Sequence, residues 1–365
     1  MKIKILFILP SLRAGGAERV ITFLSQHLDK QKFTCILLII GFNKEVAYDT
    51  SQVKTIFLDK ERVSRGIWSI VKILKKEKPD ITMSSIGHLN RILGLLKILF
   101  PSMKFIAREA NVSSVLNKIT EKKKLGLFQL SSFLSSYANQ NLDKIVCQSN
   151  DMLEDVQLKT GAKIDKTVLI NNPIVTVPDL MDTAYHVNSP LKLITVGRLC
   201  NQKGQLRILD ILQKLNFPFT YTLIGDGPKK EEIFEKIDQL KLQDCIKWIP
   251  FTTEVTKHLA MHDVFIQGSY VEGFPNALIE SLVIGTPAIA FDTPGGTREI
   301  ILNGINGFKV ETSDEFVDQI KLFKSGEFKS SREKVRESVL SRYSADKIIA
   351  QYEKMFLEVV SPNIY

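Results

Sequence analysis

Short apolar runs of β character alternate with amphipathic helical patterns along this chain, and that rhythm restricts its fold more than any other feature. In the first half the predicted strands are Ile3–Leu9, Phe33–Ile40, Thr55–Phe57, Ile81–Ser84, Lys104–Ala107, Lys144–Gln148 and Thr167–Ile170. Helical periodicity is predicted between them at Ala17–Leu28, Gly66–Lys76 and Asn90–Leu99. The rhythm lapses from Pro173 to Pro190, a predicted linker, and then restarts. The second series of predicted strands is Leu191–Val196, Thr220–Ile224, Ile246–Trp248, Val264–Gln267, Ala288–Phe291 and Gly307–Val310. Predicted helices among them include Gly204–Leu215, Lys229–Leu240 and Asn276–Val283, and an amphipathic tail spans Ser344–Val360. Strands alternating with helices imply parallel sheets covered on both faces. The expectation is an α/β chain of two doubly wound parallel-sheet domains facing a central cleft.

At 365 residues the chain exceeds the usual size of one core, which agrees with two domains. None of its apolar runs is long enough to span a bilayer. The start, MKIKILFILP, has too short an apolar core for a signal peptide and reads as a first strand. Cys35, Cys147, Cys200 and Cys245 lack CxxC spacing and are expected to be reduced thiols in a cytoplasmic protein. Charge is shared unevenly. Residues 1–180 hold 27 Lys+Arg against 16 Asp+Glu, whereas residues 181–365 hold 22 against 24. The basic excess thus belongs to the first half, but no aromatic-basic interleaving or helix-turn-helix supports nucleic acid as a partner. An anionic membrane surface and a plain solvated face both remain open. Asn117–Tyr137 joins four lysines to an apolar stripe, so it either lies in a membrane interface or forms a rim helix. Arg91–Phe100 is apolar nearly all round and is expected to be a buried helix.

EGFPNALIE, Glu272 to Glu280, carries the most chemistry. Two carboxylates flank a Gly-Phe-Pro turn, and Pro275 suits the first helical position because its missing N–H would be unpaired there anyway. The free amides of that turn favour an anion. Upstream, a strand ends at Gly197, with Arg198 next and Lys203 five residues later; a guanidinium fork and an ammonium together suit a diphosphate. Gly225-Asp226-Gly227 ends another strand, either beside a ligand or as a plain tight turn. Gly15 and Gly16 follow the first strand and admit the same two readings. His258 and His262 stand four apart, but no glutamate or third ligand accompanies them, so no metal is expected. Asn111-Val-Ser113 is a glycosylation sequon with no meaning in a cytoplasmic protein.

Taken in order, GGAERV (15–20), VGRL (196–199) with Lys203-Gly204, IGDGP (224–228), SYVEGFPNALIESL (269–282) and GTPAIAFDTPGGTREII (285–301) resemble the retaining glycosyltransferases of family 4. The resemblance spans essentially the whole chain and is most specific over 191–301. It implies the GT-B fold, with two Rossmann-like domains: an acceptor-binding domain over 1–180, joined by a C-terminal helix (344–360) crossing back to it, and a donor-binding domain over 187–343. It further implies that Arg198 and Lys203 hold the donor diphosphate and that Glu280 holds the ribose. Glu272, Gly273, Phe274, Pro275 and Asn276 would cradle the sugar and its phosphate, with Gly197, Gly225 and Asp226 nearby. Gly16 would approach the phosphates from the first domain. Arg13, Arg108, Glu109 and Asn111 are expected on the acceptor side. Many relatives carry a histidine where Glu109 stands, which leaves that residue's role open.

By resemblance, then, the expected activity is metal-independent, retaining transfer of a hexose or N-acetylhexosamine in surface-polysaccharide biosynthesis. The donor is a UDP-sugar and the acceptor a glycan or lipid-linked glycan. No cofactor is expected, and the location is cytoplasmic with peripheral attachment to the inner membrane face. A GT-B-fold UDP-sugar 2-epimerase and a non-catalytic nucleotide-sugar-binding subunit are the alternatives.

Overall fold

A computed structural model of the chain describes residues 2–119, 135–160, 164–180 and 190–361. The basic amphipathic segment 117–137 therefore lies largely outside the described residues, as do residues 181–189 of the predicted linker. Internal contacts divide the chain into two units. The described parts of Met1–Ala110, Lys123–Val175 and Ala345–Tyr365 form one, and those of Asn111–Lys122 and Thr176–Ser344 form the other.

The first unit is built on seven parallel strands: β1 (Ile3–Leu9), β2 (Phe33–Ile39), β3 (Lys54–Phe57), β4 (Ile81–Ser85), β5 (Lys104–Arg108), β6 (Lys144–Cys147) and β7 (Thr167–Leu169). Their order across the sheet is β3-β2-β1-β4-β5-β6-β7. Residues such as Ile5, Phe7, Leu37 and Ile81 are fully buried, because a sheet covered on both faces needs continuous apolar strands rather than alternating ones. The tail helix Ala345–Val360 completes this core. Ile348, Tyr352, Met355 and Phe356 face inward, and the Phe356 ring meets Phe7 and Phe33 edge-on at 6.3 and 6.1 Å. Each such buried side chain contributes roughly 1.5–3 kcal/mol.

One expectation is corrected here. Arg91–Phe100 is not a uniformly buried helix: the helix spans Gly87–Leu96 and passes into a 3-10 turn at Lys97–Leu99. Leu89, Leu93 and Leu96 pack inward, while Ile98 and Leu99 are 55% and 64% exposed. The tighter turn rotates the last residues off the buried stripe. Lys97 secures that turn through the Met103 carbonyl at 2.6 Å and Asp143 at 2.9 Å.

The second unit holds six parallel strands: β8 (Leu191–Val196), β9 (Phe219–Ile224), β10 (Ile246–Ile249), β11 (Val264–Gln267), β12 (Ala288–Phe291) and β13 (Gly307–Val310). Their order is β10-β9-β8-β11-β12-β13, so the winding direction reverses between β8 and β11. Among the described residues no helix is long and apolar enough to cross a membrane. All four cysteines are unpaired, and burial pushes the Cys35 thiol up to about 12.

His262 has a packing role in this unit. Its Nδ1 lies 2.5 Å from the His258 carbonyl and its Nε2 lies 2.7 Å from the Thr222 hydroxyl. Burial lowers its pKa, with the charges of His258, Lys192 and Lys247 adding to the effect. A depressed histidine favours the neutral ring in the folded state. Its contribution is present above the unfolded value of about 6.5 and is lost as pH falls through the lowered folded value. The stability advantage of the native protein over His262→Gln is expected to narrow on acidification below pH ~6.5. Denaturant melts at several pH values measure this, and a constant advantage from pH 7.5 to 5 refutes it.

Candidate active site

Ligands of open α/β sheets sit outside the carboxyl ends of the strands, where the winding reverses. In the second unit that point lies between β8 and β11, and the sequence motifs gather there. The loop after β8 carries Arg198 and Lys203, the loop after β9 carries Gly225 and Asp226, and the loop after β11 carries Ser269 to Pro275.

The centre of the arrangement is an ion pair. Lys203 Nζ lies 2.7 and 2.9 Å from the two oxygens of Glu272, and the Ser269 hydroxyl donates to Glu272 Oε1 at 2.5 Å. The Glu272 side chain is 5% exposed and that of Lys203 is 28% exposed, so the ammonium keeps an accessible side. Lys203 ends a 3-10 turn, Asn201–Lys203, and Gly204 follows at φ +62. A Cβ on Gly204 would stand 1.9 Å from the Gly268 carbonyl oxygen, so only glycine lets the loops after β8 and β11 meet this closely. Arg198 is exposed, and its guanidinium has no hydrogen-bond or ion-pair partner among the described residues. Its carbonyl accepts from Gln205 Nε2 at 2.9 Å, which holds the loop beneath it.

Several residues that shape the site carried no sequence signal. Arg207 donates through Nε to the Gly268 carbonyl at 2.5 Å and through a second nitrogen to the Ser269 carbonyl. Its guanidinium lies 4.0 Å from the Tyr270 ring centre and 3.6 Å from that of Phe291. Burial lowers its pKa to about 10, which leaves it charged at neutral pH. Gln202 donates to the Val271 carbonyl at 3.0 Å and accepts at its own carbonyl from Tyr270 N–H at 2.8 Å. The loop after β12 closes the other side: Glu272 N–H donates to the Pro294 carbonyl at 3.0 Å, and Gly296 N–H donates to that of Gly273 at 2.9 Å.

The helix Asn276–Val283 begins just after this turn. Pro275 stands immediately before the first helical residue rather than at it, and supplies no side-chain cap. Glu280 lies one turn in and is partly buried. Phe274 departs from its expected place against the donor: it is 5% exposed and packs edge-on to Tyr343 at 5.2 Å, so only its backbone faces the turn. Asp226 forms the Gly-Asp-Gly turn itself, its Oδ1 accepting from Gly227 N–H at 2.8 Å. A Cβ on Gly225 would stand 2.0 Å from the Gly197 carbonyl oxygen, which makes that glycine a requirement of packing.

In the first unit Gly16 opens the helix Gly16–His27, and Gly15 N–H donates to the Tyr48 hydroxyl at 2.9 Å. Arg13 lies exposed just upstream. Arg108 is corrected from an acceptor-side residue to an internal one. It is 1% exposed, donating to Tyr352 at 3.3 Å, Ser85 at 3.2 Å and Asn172. Strand β5 turns this residue inward, and the tail helix covers it. Glu109 is half-buried, and its carboxylate accepts from Asn90 Nδ2 at 3.1 Å. Asn111 groups with the second unit, where its side chain accepts from Gln202 Nε2 at 3.1 Å.

Two doubly wound parallel sheets, one with this cluster at its switch point, are the architecture of the GT-B fold. Residues 183–340 match the family described as "Glycosyl transferases group 1". Over 323 residues, 84% of this chain and 85% of the relative, the sequence is 25% identical to a Campylobacter jejuni enzyme. That relative is named N-acetylgalactosamine-N,N'-diacetylbacillosaminyl-diphospho-undecaprenol 4-alpha-N-acetylgalactosaminyltransferase. Over 242 residues it is 32% identical to the N-acetyl-alpha-D-glucosaminyl L-malate synthase of Bacillus anthracis, covering 60% of this chain and 63% of the relative. The solved structure of Anabaena HepE in complex with UDP-glucose matches at TM-score 0.77 and 16% identity, over 97% of this chain and 99% of the other. The chain has the GT-B fold, and its residues 183–340 are similar to the group 1 glycosyl transferases.

Proposed function

We propose that this chain is a retaining, family 4 glycosyltransferase. It moves a hexose or N-acetylhexosamine from a UDP-sugar to a glycan or lipid-linked acceptor in surface-polysaccharide assembly. The observation that carries the reading is the Lys203–Glu272 pair together with Arg198, whose guanidinium has no partner among the described residues, all at the switch point of the second sheet. Breaking a sugar–phosphate bond leaves an anionic diphosphate and an oxocarbenium-like sugar. Arg198, the open side of Lys203 and the first amides of helix Asn276–Val283 take up the negative charge. On this reading these fixed charges carry the role of a metal, and transfer is insensitive to chelators. Glu272 takes a sugar hydroxyl while Ser269 and Lys203 fix its orientation, and Glu280 takes the ribose. The acceptor attacks from the face the diphosphate leaves, and the departing phosphate accepts its proton. The names of the C. jejuni relative and the HepE complex support a lipid-diphosphate acceptor and a UDP-sugar donor. Attachment to the inner membrane face belongs to the same proposal.

The test is a donor screen. Purified protein is incubated with UDP-sugars, with and without acceptor glycans, in the presence of EDTA, and product anomers are assigned by NMR. Acceptor-dependent release of UDP with an α-linked product from an α-linked donor is expected. Inverted product, interconversion of UDP-N-acetylglucosamine without acceptor, or UDP binding without turnover on any acceptor would each overturn the proposal.

A further inference from the structure

Arg207 is a half-buried cation that no carboxylate answers among the described residues. It stands in the first turn of the helix Gln205–Leu212, whose Ile208, Leu209, Ile211 and Leu212 are buried in the core. A cation withdrawn from water is costly unless other groups compensate it. Here the compensation comes from two backbone carbonyls and two ring faces. Gly268 and Ser269 stand just past the end of β11, where their carbonyls have left the strand ladder, and the guanidinium donates to both. Tyr270 and Phe291 supply the rings, whose faces attract a cation. Bridging two successive carbonyls while stacking on two rings suits the planar fork of arginine and not lysine, whose ammonium is a single point charge.

These contacts fall on the two segments that fix Glu272. On one side, Ser269 gives its carbonyl to Arg207 and its hydroxyl to Glu272 Oε1 at 2.5 Å. On the other, Phe291 ends β12 and leads into the loop whose Pro294 carbonyl accepts from Glu272 N–H at 3.0 Å. The Arg207 guanidinium bonds to Gly268 and Ser269 rather than to Glu272 itself, so it acts through these segments. A brace needed only for stability would be met by an apolar side chain packed against the same rings. We infer that Arg207 is a positioning residue for transfer: it ties the loop after β11 to the end of β12 and so holds the Glu272 carboxylate at its working angle. The inference rests on the transferase reading above and goes beyond it, since none of the motifs behind that reading includes Arg207.

Steady-state kinetics of Arg207→Lys and Arg207→Met, with the UDP-sugar and acceptor that turn over in the donor screen, test the inference. Lysine keeps the charge and methionine the apolar bulk, but neither bridges the two carbonyls. Both variants are expected to lower kcat by about tenfold to a hundredfold, the effect of a displacement approaching 1 Å at a reacting group. KM for the donor and the calorimetric affinity for UDP are expected to stay within about twofold, the pattern of an interaction realised only in the transition state. Hydrogen exchange of the backbone amides over 268–272 is expected to quicken by about tenfold in both variants. Should Arg207→Met fail to fold, the conservative Arg207→Lys decides. Full kcat in a folded variant, a raised KM with unchanged kcat, or unchanged exchange over 268–272 overturns the inference. If no UDP-sugar turns over, the transferase reading fails by itself, and exchange over 268–272 still judges the clamp.

Discussion

Lys203→Ala is expected to destabilise the protein by about 2–3 kcal/mol and to remove most of its transfer activity. The physical reason is the asymmetry of the ion pair. Glu272 is almost fully enclosed, and without the ammonium its carboxylate keeps only the Ser269 hydroxyl among the side-chain partners seen here. Breaking a buried pair by deleting one member is costly because the other charge remains out of water. The loss falls below that of a fully buried pair because the Lys203 side chain is 28% exposed and water screens it. Glu272→Gln should behave differently: the amide still accepts from Ser269, and the ammonium left behind can turn to water. Its stability loss is expected to be under about 1 kcal/mol while transfer falls by about a hundredfold or more. Chemical denaturation and steady-state rates of both variants, with the double variant closing the cycle, measure the coupling. Equal stability losses for the two variants, or a cycle with no coupling, would show that the pair is incidental.

Gly295→Ala is the second substitution with a large expected effect. Gly295 adopts φ +113, and an added Cβ would lie 1.7 Å from the Glu272 carbonyl oxygen. The backbone of the Glu272 turn must therefore move. Strain in this conformation costs about 1–3 kcal/mol. A displacement near 1 Å at a reacting group lowers turnover by about a hundredfold. Gly304 supplies the control, since it has φ +75 but nothing within 4 Å of an added Cβ. Gly304→Ala should carry the conformational strain alone and keep normal turnover. If Gly295→Ala and Gly304→Ala lose activity to the same extent, the collision with Glu272 is not what matters.

Much of this architecture was legible in the sequence because parallel strands buried on both faces must be apolar throughout. Val264–Gln267 and Ala288–Phe291 were readable for that reason, and their observed bounds agree with the expectation. Arg198, Lys203 and the EGFPNALIE turn were legible because their spacing is local and attached to strand ends. Arg207 was not, since an arginine in the first turn of a helix looks like any solvated cation. Its role depends on Tyr270, in the loop after β11, and on Phe291, at the end of β12. Arg108 was misplaced for the converse reason: the resemblance put it on the acceptor side, but Ser85, Asn172 and Tyr352 of the tail helix, all distant in sequence, enclose it. The phase change at Lys97 likewise moved Ile98 and Leu99 outward, which apolar periodicity could not register.

Local chemistry alone settled where the strands run, that there are two sheets, and which loops hold charge. What remained for the folded chain was partnership. Lys203 and Glu272 are 69 positions apart, yet they share a 2.7 Å contact, and the Thr293–Gly296 loop fastens Glu272 from a third strand. Periodicity reports only which side of an element is apolar. Distances between charges on different elements arise when the sheet brings its strand ends together, and burial then decides whether a charge is held or left for a ligand.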